Sequence, residues 1–500
     1  MKQIDSLKKR YSIKLLATII AALINAVIIA IVPKALGPIA YGQFVYLQDF
    51  FMKTIGFLDM GSSIAFFTKL SAKHERKELI TFYFLYASVV LLIVFVFIWT
   101  IKTFGFTELI LPEISNEFIY LGMLFGFLTW LTQIFIKISD AYALTVSVEF
   151  IKIGHKILSL LILLCFIYFT VFDLNYYFIF NYITLFSFLV ILSWLYIKKG
   201  IFTNVFNFRF SFLRITKEFF EYCNPLFISS VIGLLIGFLN IWMLQKYGGS
   251  TQTGFYGLAY SLAAMCFLFT SAMTPVITRE FSKAYGENNL EKMGKLFSRY
   301  IPMLYSIAAF FGVFISMQSE NVLEIFTDAK FKEAYGVLIL MALYPIHQTY
   351  GQLSSSVFYA TGQTKLYRNI ALFTQFFMLI LSYIFIVKLD LGAIGLTLSM
   401  LIIQFINVNI GLYFNTKFLQ LDLKYFIYHQ FYSVVFFVII AYFSSLFIEV
   451  DSAFLTFLIS GIIYTIFAIM FSYIFPQIFA TSRDEIKINL NKVLERVVKK

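Results

Sequence analysis

Apolar residues fill blocks of roughly twenty positions, and polar residues are confined to the short stretches between them. Before position 198 the blocks fall at 11–32, 43–66, 79–101, 116–139, 147–170 and 173–197. They recur at 221–246, 253–277, 296–317, 334–360, 367–387, 392–414, 425–449 and 452–475, which predicts fourteen membrane-spanning helices. The long interruption between the two sets, KKGIFTNVFNFRFSFLRITKEFFEYCNP, carries five Lys or Arg residues and reads as a cytoplasmic hinge. Within it Phe212, Ile215, Phe219 and Phe220 share a helical face, with Arg214, Lys217 and Glu218 off it, so a short helix is expected along the membrane surface. Asn224-Pro225 is expected to open the next span. Beyond 475, Ser482 and Glu485 form a capping box, and Ile486, Leu490, Val493, Leu494 and Val497 fall on one face. That pattern predicts a basic amphipathic tail on the anionic cytoplasmic leaflet, with a solvated or partner-binding helix as the alternative.

Charge in the loops alternates along the same division. With the N-terminus inside, the cytoplasmic segments hold most of the 39 Lys and Arg residues, including Lys73, Arg76, Lys77, Arg279, Lys283 and Lys292. The outer loops hold only Lys34, Lys102, Lys246, Lys330, Lys332 and Lys388, and the loop at 102–117 carries Glu108, Glu113 and Glu117. Both termini are therefore expected to be cytoplasmic. The halves also echo each other. Tyr41-Gly42 matches Tyr256-Gly257 at an offset of 215, Tyr142-Ala143 matches Tyr359-Ala360 at 217, and Phe172-Asp173-Leu174 matches Leu389-Asp390-Leu391 at 217. Matches at nearly one offset, each at the same point of a six-span unit, point to a duplicated bundle. An even number of spans per unit makes the repeats parallel. The expected fold is all-α and polytopic: a lobe at 1–197, a hinge at 198–220, a second lobe at 221–414, two further spans at 415–475 and a tail at 476–500, with a cavity between the lobes.

Composition removes the soluble alternatives. With 60% apolar and 13% charged residues and a mean hydropathy of +0.84, too little polar surface exists to cover a water-soluble globule. The net charge of +12 sits in loops between apolar runs, which is a topology signal and not a nucleic-acid footprint. Cys165, Cys223 and Cys266 lie in or beside apolar runs without CxxC spacing, so neither a disulfide framework nor a metal site is implied, and no cofactor is expected. The basic start followed by an apolar run to Val32 is too long for a signal peptide and lacks a small-residue cleavage site; it is expected to remain as the first span.

Ionised groups inside spans carry the chemical signal, because a charge in hydrocarbon costs ~2.5–3.5 kcal/mol even on lenient scales and normally faces water or a partner. Asp49 and Lys53, four apart on the second span, share a face near the midplane, as a self-neutralising pair or as cavity-lining groups. Asp59, in the LDMG turn, reads as an interfacial cap. On the fifth span Glu149, Lys152 and Lys156 share a face of net positive charge; the alternative is that these lysines snorkel to the inner interface. Only 16 residues, Ile157 to Phe172, would then remain to cross, which is short. His155 stands aside from this face and is expected to be a hydrogen-bonded interior histidine. In the tenth span Pro345 followed by His347 and Gln348 suggests a kink lining the cavity. Gln375, Gln404 and Asn407 are neutral donors suited to sugar hydroxyls or to helix packing.

Four stretches resemble polysaccharide flippases of the Wzx type. They are ALGPIAYGQFVYLQDFFMKTIGFLDMGSSIAFF, FYGLAYSLAAMCFLFTSAMTPVITREFSKAYGENN, AYGVLILMALYPIHQTYGQLSSSVFYATGQTKLYRN and LDLGAIGLTLSMLI. The family belongs to the multidrug and oligosaccharidyl-lipid export superfamily. The resemblance implies two six-helix lobes, alternating access, and a substrate made of oligosaccharide on undecaprenyl pyrophosphate. It also implies a bacterial inner-membrane protein acting as a monomer, with membrane lipids around it and a polysaccharide polymerase and chain-length regulator as partners. Family members commonly carry a charged residue in mid seventh span, where this chain has FLNIWML with Asn240 and Trp242. Ion coupling through that position is therefore in question. Given that substrate, Lys152 and Lys156 are expected to hold the pyrophosphate, with Glu149 pairing Lys152 when the site is empty; Lys53 and Lys137 are the alternative anion contacts should these two lysines only snorkel. A cation-coupled exporter of the same superfamily is the first rival; it calls for mid-membrane carboxylates without lysines and usually twelve spans. A membrane polymerase or ligase is the second, and no catalytic constellation stands in an outer loop of useful size. No enzymatic activity is expected.

Overall fold

The computed structural model describes residues 7–73, 75–203, 211–446, 448 and 450–484. Part of the hinge, 204–210, and the amphipathic stretch of the tail, 485–500, lie outside the described residues. Seventeen α-helices, without a strand, run through the described chain. The first ten are α1 Leu7–Asp59, α2 Ser62–Ala72, α3 Glu78–Thr103, α4 Thr107–Ile110, α5 Asn116–Ala141, α6 Thr145–Phe169, α7 Leu174–Lys198, α8 Phe212–Met243, α9 Gly249–Ala263 and α10 Leu268–Gly286. Then follow α11 Leu290–Met317, α12 Ser319–Phe326, α13 Tyr335–Ala360, α14 Thr364–Ser382, α15 Gly392–Leu419, α16 Leu423–Ser445 and α17 Ala453–Ile474.

Among the described residues, eleven helical stretches are long and apolar enough to cross a membrane. Two of them, of 41 and 37 residues, exceed the ~20 that one crossing needs. Each is broken at a glycine with positive φ, Gly37 at 75° and Gly249 at 77°. Such a φ costs an L side chain strain that glycine avoids. Counting each as a pair and adding the 26-residue α13 gives fourteen spans, an all-α polytopic fold.

The chain forms two compact units, 1–254 and 255–500, divided within α9. In the first, α1 packs against α5, α6 and α8, and the hydrophobic interior is aromatic: Phe44, Phe50, Phe51 and Phe178 are all buried. The second span is a broken helix, because the chain leaves α1 at Met60 (φ 44°) and Gly61 (φ 84°) before re-entering α2. Asp59 caps that restart, as expected of it. Its carboxylate accepts from Ser63 N at 3.1 Å, Ser63 Oγ at 2.8 Å, Ser62 Oγ at 2.9 Å and Tyr83 OH at 2.8 Å. At the opposite end of the same unit, Glu113 Oε2 accepts Ser250 N at 2.6 Å and so caps α9. There Gly42 and Gly254 let backbone meet backbone: a Cβ on Gly42 would stand 1.8 Å from Ser250 O.

The sequence placed a short surface helix before a separate span opening at Asn224-Pro225. The structure instead has one continuous helix, α8, from Phe212 to Met243. Tertiary packing overrides the local signal. Ile215 and Phe219 are buried, with the Phe219 ring 5.2 Å from that of Phe82 on α3, while Phe212 and Phe220, expected on the same membrane-surface face, are exposed.

In the second unit α11, α13 and α15 pack together, and the last two spans complete the same core. Phe426 on α16 meets Phe297 at 5.3 Å, and Tyr464 on α17 stacks on Phe310 and Phe314 at 4.8 and 4.9 Å.

Candidate functional site

In the first unit the sequence-predicted charges fall into three arrangements. On α1, Lys53 Nζ lies 2.6 Å from Asp49 Oδ2, one helical turn away. It also donates to Gly237 O on α8 at 2.7 Å, so one ammonium joins two helices. Glycine at 237 leaves the lysine room, since a Cβ there would stand 3.3 Å from Lys53 Cε and push it slightly aside. Sequence reasoning found the lysine and the aspartate but not the carbonyl, because a backbone acceptor leaves no side-chain signature. Beside the pair is an apolar cavity of about 410 Å³ between α1, α3 and α8.

On α6 the carboxylate of Glu149 accepts from Lys152 Nζ at 2.9 Å. Glu149 is only 5% exposed, and Ser159 and Leu163 on the same face are buried as well. Lys152 and Lys156 on this face are half-buried. The opposite face, Phe150, Ile157, Leu158, Leu161 and Leu164, is apolar and exposed, as a lipid-facing surface is. The lysine stripe thus lies on the side of α6 that packs against α1 and α7. With one carboxylate for two ammonium groups, the face keeps a net positive charge. His155 bonds Ser187 Oγ at 3.0 Å through Nε2, a hydrogen-bonded interior histidine as expected.

Lys137 is committed elsewhere. It donates to Ser63 Oγ, which in turn donates to Asp59, so it belongs to the network at the break between α1 and α2. Asn240 on α8 is buried, and its Oδ1 has no partner among the described residues. Two positions on, Trp242 Nε1 donates to Leu109 O at 2.8 Å.

The linker end of α8 carries a cluster that sequence reasoning passed over. Glu218 receives Arg76 Nη1 at 3.0 Å, Arg76 Nη2 at 3.1 Å and Lys69 Nζ at 2.8 Å. Those hydrogen bonds, from Arg76 first and then Lys69, pull its carboxyl down to about 2. Lys77 fastens the same loop to the end of α7 through Gly200 O and Thr203 Oγ1, both at 2.8 Å. The available signal was the density of basic residues at 69–77 together with the acids Glu218 and Glu221 of the linker.

In the second unit, His347 sits among aromatic rings, 5.2 Å from Phe405 and 6.0 Å from Tyr305, with Nδ1 unpartnered among the described residues. Gln348 accepts from Tyr344 OH at 3.4 Å, and Gln375 Oε1 is buried without a described partner. Asn407 accepts from Thr374 at 3.3 Å, a packing role.

Residues 7–281 match the polysaccharide biosynthesis protein family, and residues 225–384 match the MatE family. Among curated proteins, the probable low-salt glycan biosynthesis flippase Agl15 of Haloferax volcanii is 23% identical over 211 residues. That alignment spans 42% of this chain and 44% of the relative, less than half its length. Among solved structures, Lipid II flippase MurJ in an inward closed conformation superposes with a TM-score of 0.67 at 15% identity, covering 92% of this chain and 98% of that one. An outward-facing multidrug resistance MATE transporter of the MOP superfamily gives 0.53 at 18% identity, covering 83% and 96%. A MOP superfamily transporter from Pyrococcus furiosus gives 0.53 at 17%, covering 84% and 97%. At these identities the structural likeness is one of fold. The family match extends over more than half of the sequence, and the chain therefore belongs to the polysaccharide biosynthesis protein family, on the fold shared with MurJ and the MATE transporters.

Proposed function

We propose that the protein is a flippase that turns an oligosaccharide on undecaprenyl pyrophosphate from the inner to the outer leaflet of the bacterial cytoplasmic membrane by alternating access. Surface polysaccharide, whether O-antigen, capsule or exopolysaccharide, is the product it serves, with a polymerase and chain-length regulator acting next. The observation that carries this reading is the inward-turned stripe of Glu149, Lys152 and Lys156 on α6. A pyrophosphate brings about two negative charges into a core ~30 Å thick, and lysines act there as compact point charges for it. Glu149 occupies Lys152 when the anion is absent and limits repulsion between the two ammonium groups.

The match of residues 225–384 to the MatE family favours a second reading, export of small cations. A face of net positive charge in the first unit opposes it. Deleting the gene is expected to strand lipid-linked oligosaccharide on the inner leaflet. Replacing Lys152 and Lys156 together with Gln should abolish flipping while the protein still inserts, and Arg at both positions should keep part of the activity. Normal export by the double Gln variant would make these lysines anchors and place the anion contact elsewhere.

A further inference from the structure

The apolar cavity beside Lys53 is unused by the reading above. Its walls are Phe50, Phe57 and Leu58 on α1, Ile93 and Phe97 on α3, and Leu235 on α8. At about 410 Å³ it is within the ~300–1,000 Å³ typical of ligand pockets. Ile93, Phe97 and Leu235 are also exposed apolar side chains, so the cavity opens on a surface suited to lipid. Thr54 lines it too, but its hydroxyl is spent on Phe50 O at 2.8 Å and leaves the methyl group to the space. The charged side chain among the lining residues is Lys53. An ammonium has three donors; one goes to Asp49, one to Gly237 O, and the third has no partner among the described residues.

We propose that this slot takes the first isoprene units of the lipid carrier while its phosphate passes Lys53, an assignment that rests on the flippase reading. Apolar walls with one spare cationic donor match an amphiphile with an anionic head and a bulky hydrocarbon chain. An ordinary acyl chain fills the walls but leaves the spare N–H in hydrocarbon, where an unpaired donor is costly. A phosphate oxygen satisfies it, and the chain then stays in the slot while the head moves along the lysines.

The test is native mass spectrometry of the full-length protein in nanodiscs, with undecaprenyl pyrophosphate, undecaprenol and phosphatidylglycerol as probes. The wild type should retain undecaprenyl pyrophosphate best. Leu235→Trp, which fills the slot from its exposed side, should lower that retention about tenfold, and Lys53→Gln should level the pyrophosphate with the alcohol. Should Leu235→Trp also lower the melting temperature, Phe97→Trp repeats the block from α3. Unchanged retention in both Trp variants overturns the slot but leaves the flippase reading standing. Equal retention of phosphatidylglycerol, displaced by the same substitutions, makes it a site for bilayer lipid and also overturns the proposal. A wild type that retains no undecaprenyl pyrophosphate sinks both.

Discussion

Lys53 shows how one side chain serves as joint and candidate contact at once. Asp49 and Lys53 are each partly exposed, so their mutual attraction is modest, but removing one partner leaves the other charge unpaired against apolar walls. Lys53→Gln is accordingly expected to cost about 1–3 kcal/mol, read as a lowered melting temperature, and Asp49→Asn in the same chain should recover most of it. If the double variant is no more stable than Lys53→Gln, the ammonium is held chiefly by Gly237 O and the carboxylate is incidental. The pairing of Asp49 with Lys53, and of Glu149 with Lys152, was legible in the sequence because helical spacing alone fixes neighbours three and four apart. Gly237 was not, since only the crossing of α8 over α1 brings its carbonyl to the lysine. Lys137 was singled out only as an alternative anion contact, and its hydroxyl partner on α2 depends on how the second span breaks.

Among elements, α8 is where local and tertiary signals part. Its first turns carry the amphipathic pattern of a surface helix, yet they continue into the span because Ile215 and Phe219 are buried, Phe219 against Phe82 of α3, and Glu218 is clasped by Arg76 and Lys69. The local sequence shows the apolar face and the acid but not what they meet, whereas the breaks at Gly37, Met60-Gly61 and Gly249 fall where glycine marks them. The clasp is partly exposed and is worth about 1 kcal/mol. Its pH dependence follows from the depressed carboxyl. Glu218 is pulled from 4.5 to about 2, so its contribution is fully present above pH 4.5 and is lost as pH falls towards about 2. Glu218→Gln should therefore lower the melting temperature by the same amount anywhere between pH 5 and 8, and the difference from wild type should vanish near pH 2. A difference that instead changes between pH 5 and 8 would assign the clasp to some other titrating group.

For the whole molecule, the repeat of apolar blocks made the number of spans legible, and fourteen emerge once the two glycine-broken helices are counted as pairs. The packing of α16 on α11, and of Tyr464 of α17 on Phe310 and Phe314, was not legible, because buried polar residues such as His429 and Ser433 signal a partner helix without saying which one. Orientation rests on loop charge alone. The linker end of the first unit gathers Lys69, Arg76 and Lys77, while the other end presents Glu113 as the cap of α9. The positive-inside rule predicts that the first is cytoplasmic and the second external. A reporter inserted after Gly105, in the exposed turn between α3 and α4, should be active outside the cell, and one fused after Lys500 should be active inside. An external reporter at Lys500 would require an odd number of crossings. Six-helix repeats entered from the same side could then not be followed by two further spans, and the parallel duplication would fall with the topology.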